Sequence, residues 1–156
     1  MSERYFSVTE ANDLVPVLGD LFRRMLQLRG ELRRAYHALE QLGHEPNWDA
    51  LQSPADVPEH VRPVHGRFLA LAMALSQEFE TLINTGVQVK DPETGRCDFP
   101  CLVDGRVVLL CWKLGEPKVD FWHETGDGFA GRQPMAVLAA ADPAVRRAHG
   151  SSHGQA

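Results

Sequence analysis

The chain has 156 residues, with 16 Lys and Arg against 21 Asp and Glu, a net charge of −5 and three cysteines. That length suits one domain with a substantial core, and 44% hydrophobic with 24% charged residues excludes wholesale disorder. The acidic balance excludes a general nucleic-acid binder, which needs a basic excess to neutralise phosphates.

Met1-Ser2-Glu3-Arg4 places no basic segment ahead of an apolar run, so no secretory signal is read. No window approaches the roughly 18 consecutive apolar residues that span a bilayer. The expectation is a cytoplasmic protein with no membrane and no nucleic-acid partner.

The first element begins at Ser7-x-x-Glu10, a capping box with Phe6 before it as a hydrophobic staple. Pro16 removes one amide donor, which predicts a kink or restart between Asn12 and Pro16. Beyond it Leu14, Leu18, Leu21, Met25, Leu28, Leu32, Ala35, Leu39 and Leu42 alternate steps of four and three, a coiled-coil-like seam. Arg23, Arg24, Arg29, Arg33 and Arg34 fall off the seam among acids, as on a solvated face.

Residues 43–60, with Pro46, Pro54 and Pro58, read as a connector that Trp48 and Leu51 pin to the body. A second helix is expected from about Pro63 to Thr85. Its seam reads Val61, Val64, Phe68, Leu71, Leu75, Glu78, Leu82, so Glu78 lands at an apolar position. Either Phe79 takes the buried place and Glu78 rides the edge, or Glu78 is a ligand or acid/base group inside the body.

After Gly86 the period becomes two. Short strands are expected at Val87 to Lys90, Arg96 to Val103, Arg106 to Trp112 and Lys118 to His123. A strong turn lies at Asp91-Pro92-Glu93-Thr94-Gly95, and a hairpin turn at Asp104-Gly105. That hairpin sets Val103 opposite Arg106, Cys101 opposite Val108, Phe99 opposite Leu110 and Asp98 opposite Cys111. Asp98 and Cys111 then share one face while Cys97 and Cys101 point to the other, so the three thiols read as packing rather than a zinc knuckle. Pro100, lacking a donor, marks an edge or bulge that would slip the register by one.

His123 is in phase with Val119 and Phe121, either as a core histidine or as a ligand or catalytic base. His123-Glu124 is not followed by the histidine that a zincin helix requires. Gly126-Asp127-Gly128-Phe129-Ala130-Gly131 spells G-x-G-x-x-G, but Pro134 follows at once and no second parallel strand comes after it. The motif therefore reads as a tight glycine loop, not a dinucleotide site. Arg132 at its end could clamp a carboxylate or phosphate, or pair with a nearby acid.

The predicted architecture is α+β: a long antiparallel helical hairpin (5–86) packed on a roughly four-stranded antiparallel meander with its glycine loop (87–135). A short C-terminal helix completes a single domain over 1–148, and a disordered tail covers 149–156.

The stretches Tyr5 to Asn12, Gly86 to Asp91, Asp98-Phe99-Pro100, Cys111 to Glu116, Trp122-His123 and Gly128 to Pro134 resemble a bacterial family known as domain-of-unknown-function family 2203. The resemblance implies a small cytoplasmic prokaryotic protein and carries no activity, cofactor or catalytic residue with it.

Two functions fit these residues. The first is a metal- or small-ligand-binding protein, or an enzyme, with its site between sheet and hairpin. His123, Asp98 and Glu116, with Glu78, would bind a divalent metal. Arg132 would hold a small anionic ligand, and Trp112 or Trp122 would wall the pocket. Without a metal, His123 with Asp98 and Glu116 would serve as base and orienter. The second is a non-catalytic interaction module whose heptad helices form a homodimer or present a face to a different partner.

Overall fold

The structure, a computed structural model, describes residues 4–141; the tail expected at 149–156 lies outside them. These residues form two compact units, one running to Phe22 and resuming at Leu82, the other spanning Arg23–Thr81. Helices α1 (Val8–Gln41) and α2 (Arg62–Asn84) each contribute to both.

In the first unit the capping box forms as expected. The Glu10 N–H donates to Ser7 Oγ (3.0 Å), and the Ser7 N–H donates to Glu10 Oε1 (3.1 Å). The expected restart at Pro16 does not occur, and α1 is continuous through it. Pro16 lies on the exposed side of the helix, where water can satisfy the Asn12 carbonyl that it leaves without a donor. The Asn12 side chain instead accepts the Val119 N–H (2.8 Å), tying the first turns of α1 to the strand region.

The sheet has five strands, one more than the sequence suggests: β1 (Gln88–Asp91), β2 (Arg96–Val103), β3 (Arg106–Lys113), β4 (Phe121–Glu124) and β5 (Gln133–Pro134). They follow one another in chain order, all antiparallel. Strand β5 is only two residues long, too short to show a period. The β2–β3 register is the one that the Asp104-Gly105 hairpin dictates, from Val103↔Arg106 to Asp98↔Cys111. Both turn residues have positive φ, 51° and 73°, as the favoured hairpin turn demands.

Pro100 does not slip this register. Its carbonyl accepts the Phe6 N–H (2.7 Å), so the side of β2 that lacks its N–H faces outward. The paired residues of β1 reach only to Asp98, so no ladder bond is lost there.

Alternation along the strands sorts side chains between two faces. Phe99, Leu110, Trp112 and Trp122 share the face covered by the first half of α1. Phe6 meets Phe99 edge-to-face at 5.3 Å, Phe22 meets Trp112 at 6.2 Å, and all of these residues are buried. Asp98, Leu109, Cys111, Phe121 and His123 share the opposite face. The short helix α3 (Met135–Ala141) follows β5 directly and buries Met135 and Leu138.

The second unit is an antiparallel helix pair. Arg24 binds Glu78 through two N–H···O contacts of 3.0 and 3.1 Å, and Glu31 lies 3.8 Å from Arg67. Its core joins Ala35, Leu39, Ala50, Val57, Val61, Phe68 and Leu69. The connector is pinned by Ala50 and Val57 rather than by Leu51, which is exposed. Trp48, half exposed, lays its ring 6.1 Å from Phe68. Phe79 is also exposed, so it does not take the buried seam position; Glu78 rides the seam's edge half-buried, held bidentately by Arg24.

Candidate metal centre

Three adjacent strands each deliver one side chain to a single point. Asp98 on β2 faces Cys111 on β3, and His123 on β4 pairs with Leu109, diagonal to Cys111 on the same face. An oxygen of Asp98, the sulfur of Cys111 and a ring nitrogen of His123 lie within 4.8 Å of one another. All three residues are buried, at 3%, 1% and 3% exposure. Buried polar groups of this kind are rare unless they are paired or coordinated.

The histidine is held at both nitrogens. Nδ1 lies 2.8 Å from the Glu124 carbonyl, which can only accept, so Nδ1 carries a hydrogen. Nε2 then points at Asp98 Oδ2, 2.9 Å away. That contact requires one shared proton, either on Nε2 beside a carboxylate or on Oδ2 beside a neutral ring. A backbone carbonyl fixing the far N–H while the other nitrogen faces a ligand set is the arrangement that metal-binding histidines adopt.

Cys111 is a protonated thiol. Burial and the neighbouring Asp98 charge push it up to about 11, with Arg132 opposing as a hydrogen-bond donor. Cys97, on the other face, is raised to about 12, chiefly by burial. None of the three cysteines is in a disulfide.

Arg132 caps this side of the sheet. Its guanidinium stacks 4.0 Å from the Phe121 ring centre and 4.2 Å from that of Phe129, and Nη1 binds Glu116 Oε1 at 2.9 Å. Glu116 is presented by its own turn, where the Trp112 indole N–H donates to the Glu116 carbonyl (2.9 Å). The glycine-rich segment forms a tight turn with a single 3-10 turn at Phe129–Gly131 and starts no helix, so a dinucleotide fingerprint is absent from it.

The structure thus brings together His123, Asp98 and Arg132, with Cys111 added. Glu116 joins through Arg132 rather than as a member of the ligand group, and Glu78 is engaged by Arg24 in the other unit. Trp112 and Trp122 lie on the opposite face of the sheet and do not wall this group. The location expected between sheet and hairpin is therefore corrected: the first half of α1 covers the tryptophan face, while the Asp98 face is capped by Arg132. Cys111 was legible as Asp98's neighbour; only aligning β4 on β3 reveals it as His123's as well.

No helix among the described residues is long and apolar enough to cross a membrane. No curated protein and no solved structure matches the chain. A family profile does match, over residues 4–135, under the description "Uncharacterized conserved protein (DUF2203)". The chain belongs to this DUF2203 family.

Proposed function

We propose that this protein binds a divalent transition metal of the zinc class through Asp98, Cys111 and His123. The observation that carries this reading is the convergence of one oxygen, one sulfur and one nitrogen donor within 4.8 Å at a buried point. A tetrahedral zinc with bonds of about 2.0–2.3 Å sets its ligand atoms roughly 3.4 Å apart, so closure of the group needs only small side-chain adjustments. A mixed N/O/S set favours zinc over magnesium or calcium, which take oxygen ligands. Three protein ligands leave a fourth position for water or a substrate atom, and Arg132 beside Cys111 is the cation that would orient a small anion there.

The test is cobalt and zinc titration of the full chain after metal analysis of freshly purified protein. One equivalent of Co²⁺ should give a sulfur-to-cobalt absorption band, and Zn²⁺ should raise the melting temperature. Cys111→Ser, which spares the Asp98–His123 contact, should abolish the band. A wild-type protein with no band and no thermal shift would leave the three residues a purely structural cluster and sink the reading.

The homodimer has less support. Most of the heptad seam expected to pair between copies is buried within the chain, including Leu18, Leu21, Met25, Ala35 and Leu39.

A further inference from the structure

The Arg23–Thr81 unit contains an apolar cavity of about 300 Å³, lined by one face of α2 and by the connector. Arg62, His65, Gly66, Leu69 and Met73 supply the helical side, at the three- and four-residue spacing that puts them in one stripe. Ala50 and Val57 belong to the opposite wall. The volume is at the small end of ligand pockets, whose usual form is an apolar chamber with a few placed polar groups.

Those polar groups are specific here. His65 is 2% exposed, and its Nε2 accepts the Asn47 N–H at 2.9 Å. Nδ1 must then carry the hydrogen of the neutral ring, and no hydrogen bond joins Nδ1 to any described residue. Burial, with the nearby His44, keeps the ring's pKa below its ordinary value, so neutral is its resting form. One helical turn before it, Arg62 donates to the Val57 carbonyl (2.9 Å) and the Ala55 carbonyl (3.4 Å). Arg62 is exposed and makes no ion pair among the described residues. Gly66 is exposed at the mouth of the cavity, and a Cβ built there meets no atom within 4 Å. Glycine is a poor residue for a helix interior, so this opening carries a cost in helix propensity.

An apolar groove with one accessible N–H donor on an otherwise buried ring, and one cation outside any ion pair, is complementary to an amphipathic anion. We propose that this cavity binds a small monocarboxylate with an apolar body. The carboxylate sits on Arg62 and the His65 Nδ1–H, and the body lies in the space over Gly66 against Leu69 and Met73. The site is separate from the Asp98–Cys111–His123 group and does not depend on it.

Calorimetric titration of the full chain with octanoate, octanol and acetate tests this. Octanoate should bind saturably at one site, octanol about tenfold more weakly, the worth of a hydrogen bond to a charged group, and acetate not at all. Arg62→Met should bring octanoate down to octanol's affinity and leave octanol unchanged. Gly66→Leu, which improves helix propensity while filling the chamber, should abolish binding of both. Met73→Glu, at a half-exposed lining position, should weaken octanoate more than octanol. Absence of saturable octanoate binding, equal affinities for octanoate and octanol in the wild type, or undiminished binding by Gly66→Leu would each overturn the proposal.

Discussion

His123 Nε2 and Asp98 Oδ2, from strands on either side of β3, meet at 2.9 Å with both side chains only 3–4% exposed. Water cannot replace either partner at such a site, so the contact is worth most when it is broken one side at a time. His123→Leu or Asp98→Leu leaves a buried polar group alone and should lower unfolding free energy by about 3–5 kcal/mol. The double variant removes both demands and should lie well above the sum of the singles. Urea unfolding of the four proteins measures the coupling; additive losses would show that the two residues do not act as a pair.

Zinc capture at this point should be steeply pH-dependent. The Cys111 thiol, held up to about 11, is protonated throughout the neutral range, so binding must release its proton. One thiol proton released per metal makes apparent zinc affinity rise about tenfold per pH unit. Competition titrations between pH 6.5 and 7.5 would read this slope. A flat profile would mean that the thiol keeps its proton and is not a ligand.

The strand half of this fold is legible because its signals are local. Asp104-Gly105 fixes the β2–β3 register, and that register alone sets Asp98 beside Cys111. What the sequence conceals is set by pairing across longer loops. The β3–β4 register, Cys111↔Phe121 and Leu109↔His123, depends on the turn between Lys113 and Asp120, which has no two-residue signature. Without it, Cys111 reads as a small buried hydrophobe and Glu116 as an equal rival for the metal. Likewise Pro16 looks disruptive in one dimension, and only its exposed position shows why α1 continues. Strand β5 owes its existence to Phe121 and Trp122 offering an edge to Gln133 and Pro134, a tertiary fact with no period of its own.

Two glycines with the same backbone conformation should respond differently to a methyl group. Gly95 (φ 72°) and Gly105 (φ 73°) both sit in the left-handed region, where an L-residue costs about 1–2 kcal/mol. At Gly105 a Cβ meets nothing within 4 Å, whereas at Gly95 it would lie 2.6 Å from Leu114 Cβ and 3.4 Å from Phe22 Cγ. Gly105→Ala should therefore cost only the backbone strain. Gly95→Ala should cost about 1–3 kcal/mol more, as overpacking does. Equal melting-temperature losses for the two variants would show that the Leu114 side of the turn yields freely.

Acid should loosen the start of α1. The Ser7 backbone N–H, followed by the Ser7 hydroxyl, holds the Glu10 carboxyl below its ordinary value of 4.5, with Arg4 adding to the effect against a small opposing desolvation. A carboxyl depressed by folding stabilises the folded state above its unfolded pKa and loses that contribution as pH falls through the lower, folded value. Between roughly pH 5 and pH 3 the wild type should lose more stability than Glu10→Gln, which carries no titrating group there. Ser7→Ala, which removes the oxygen that accepts the Glu10 N–H, should cost about 1 kcal/mol at neutral pH. Parallel pH–stability curves for wild type and Glu10→Gln would show that the box forms without drawing on the carboxylate's charge.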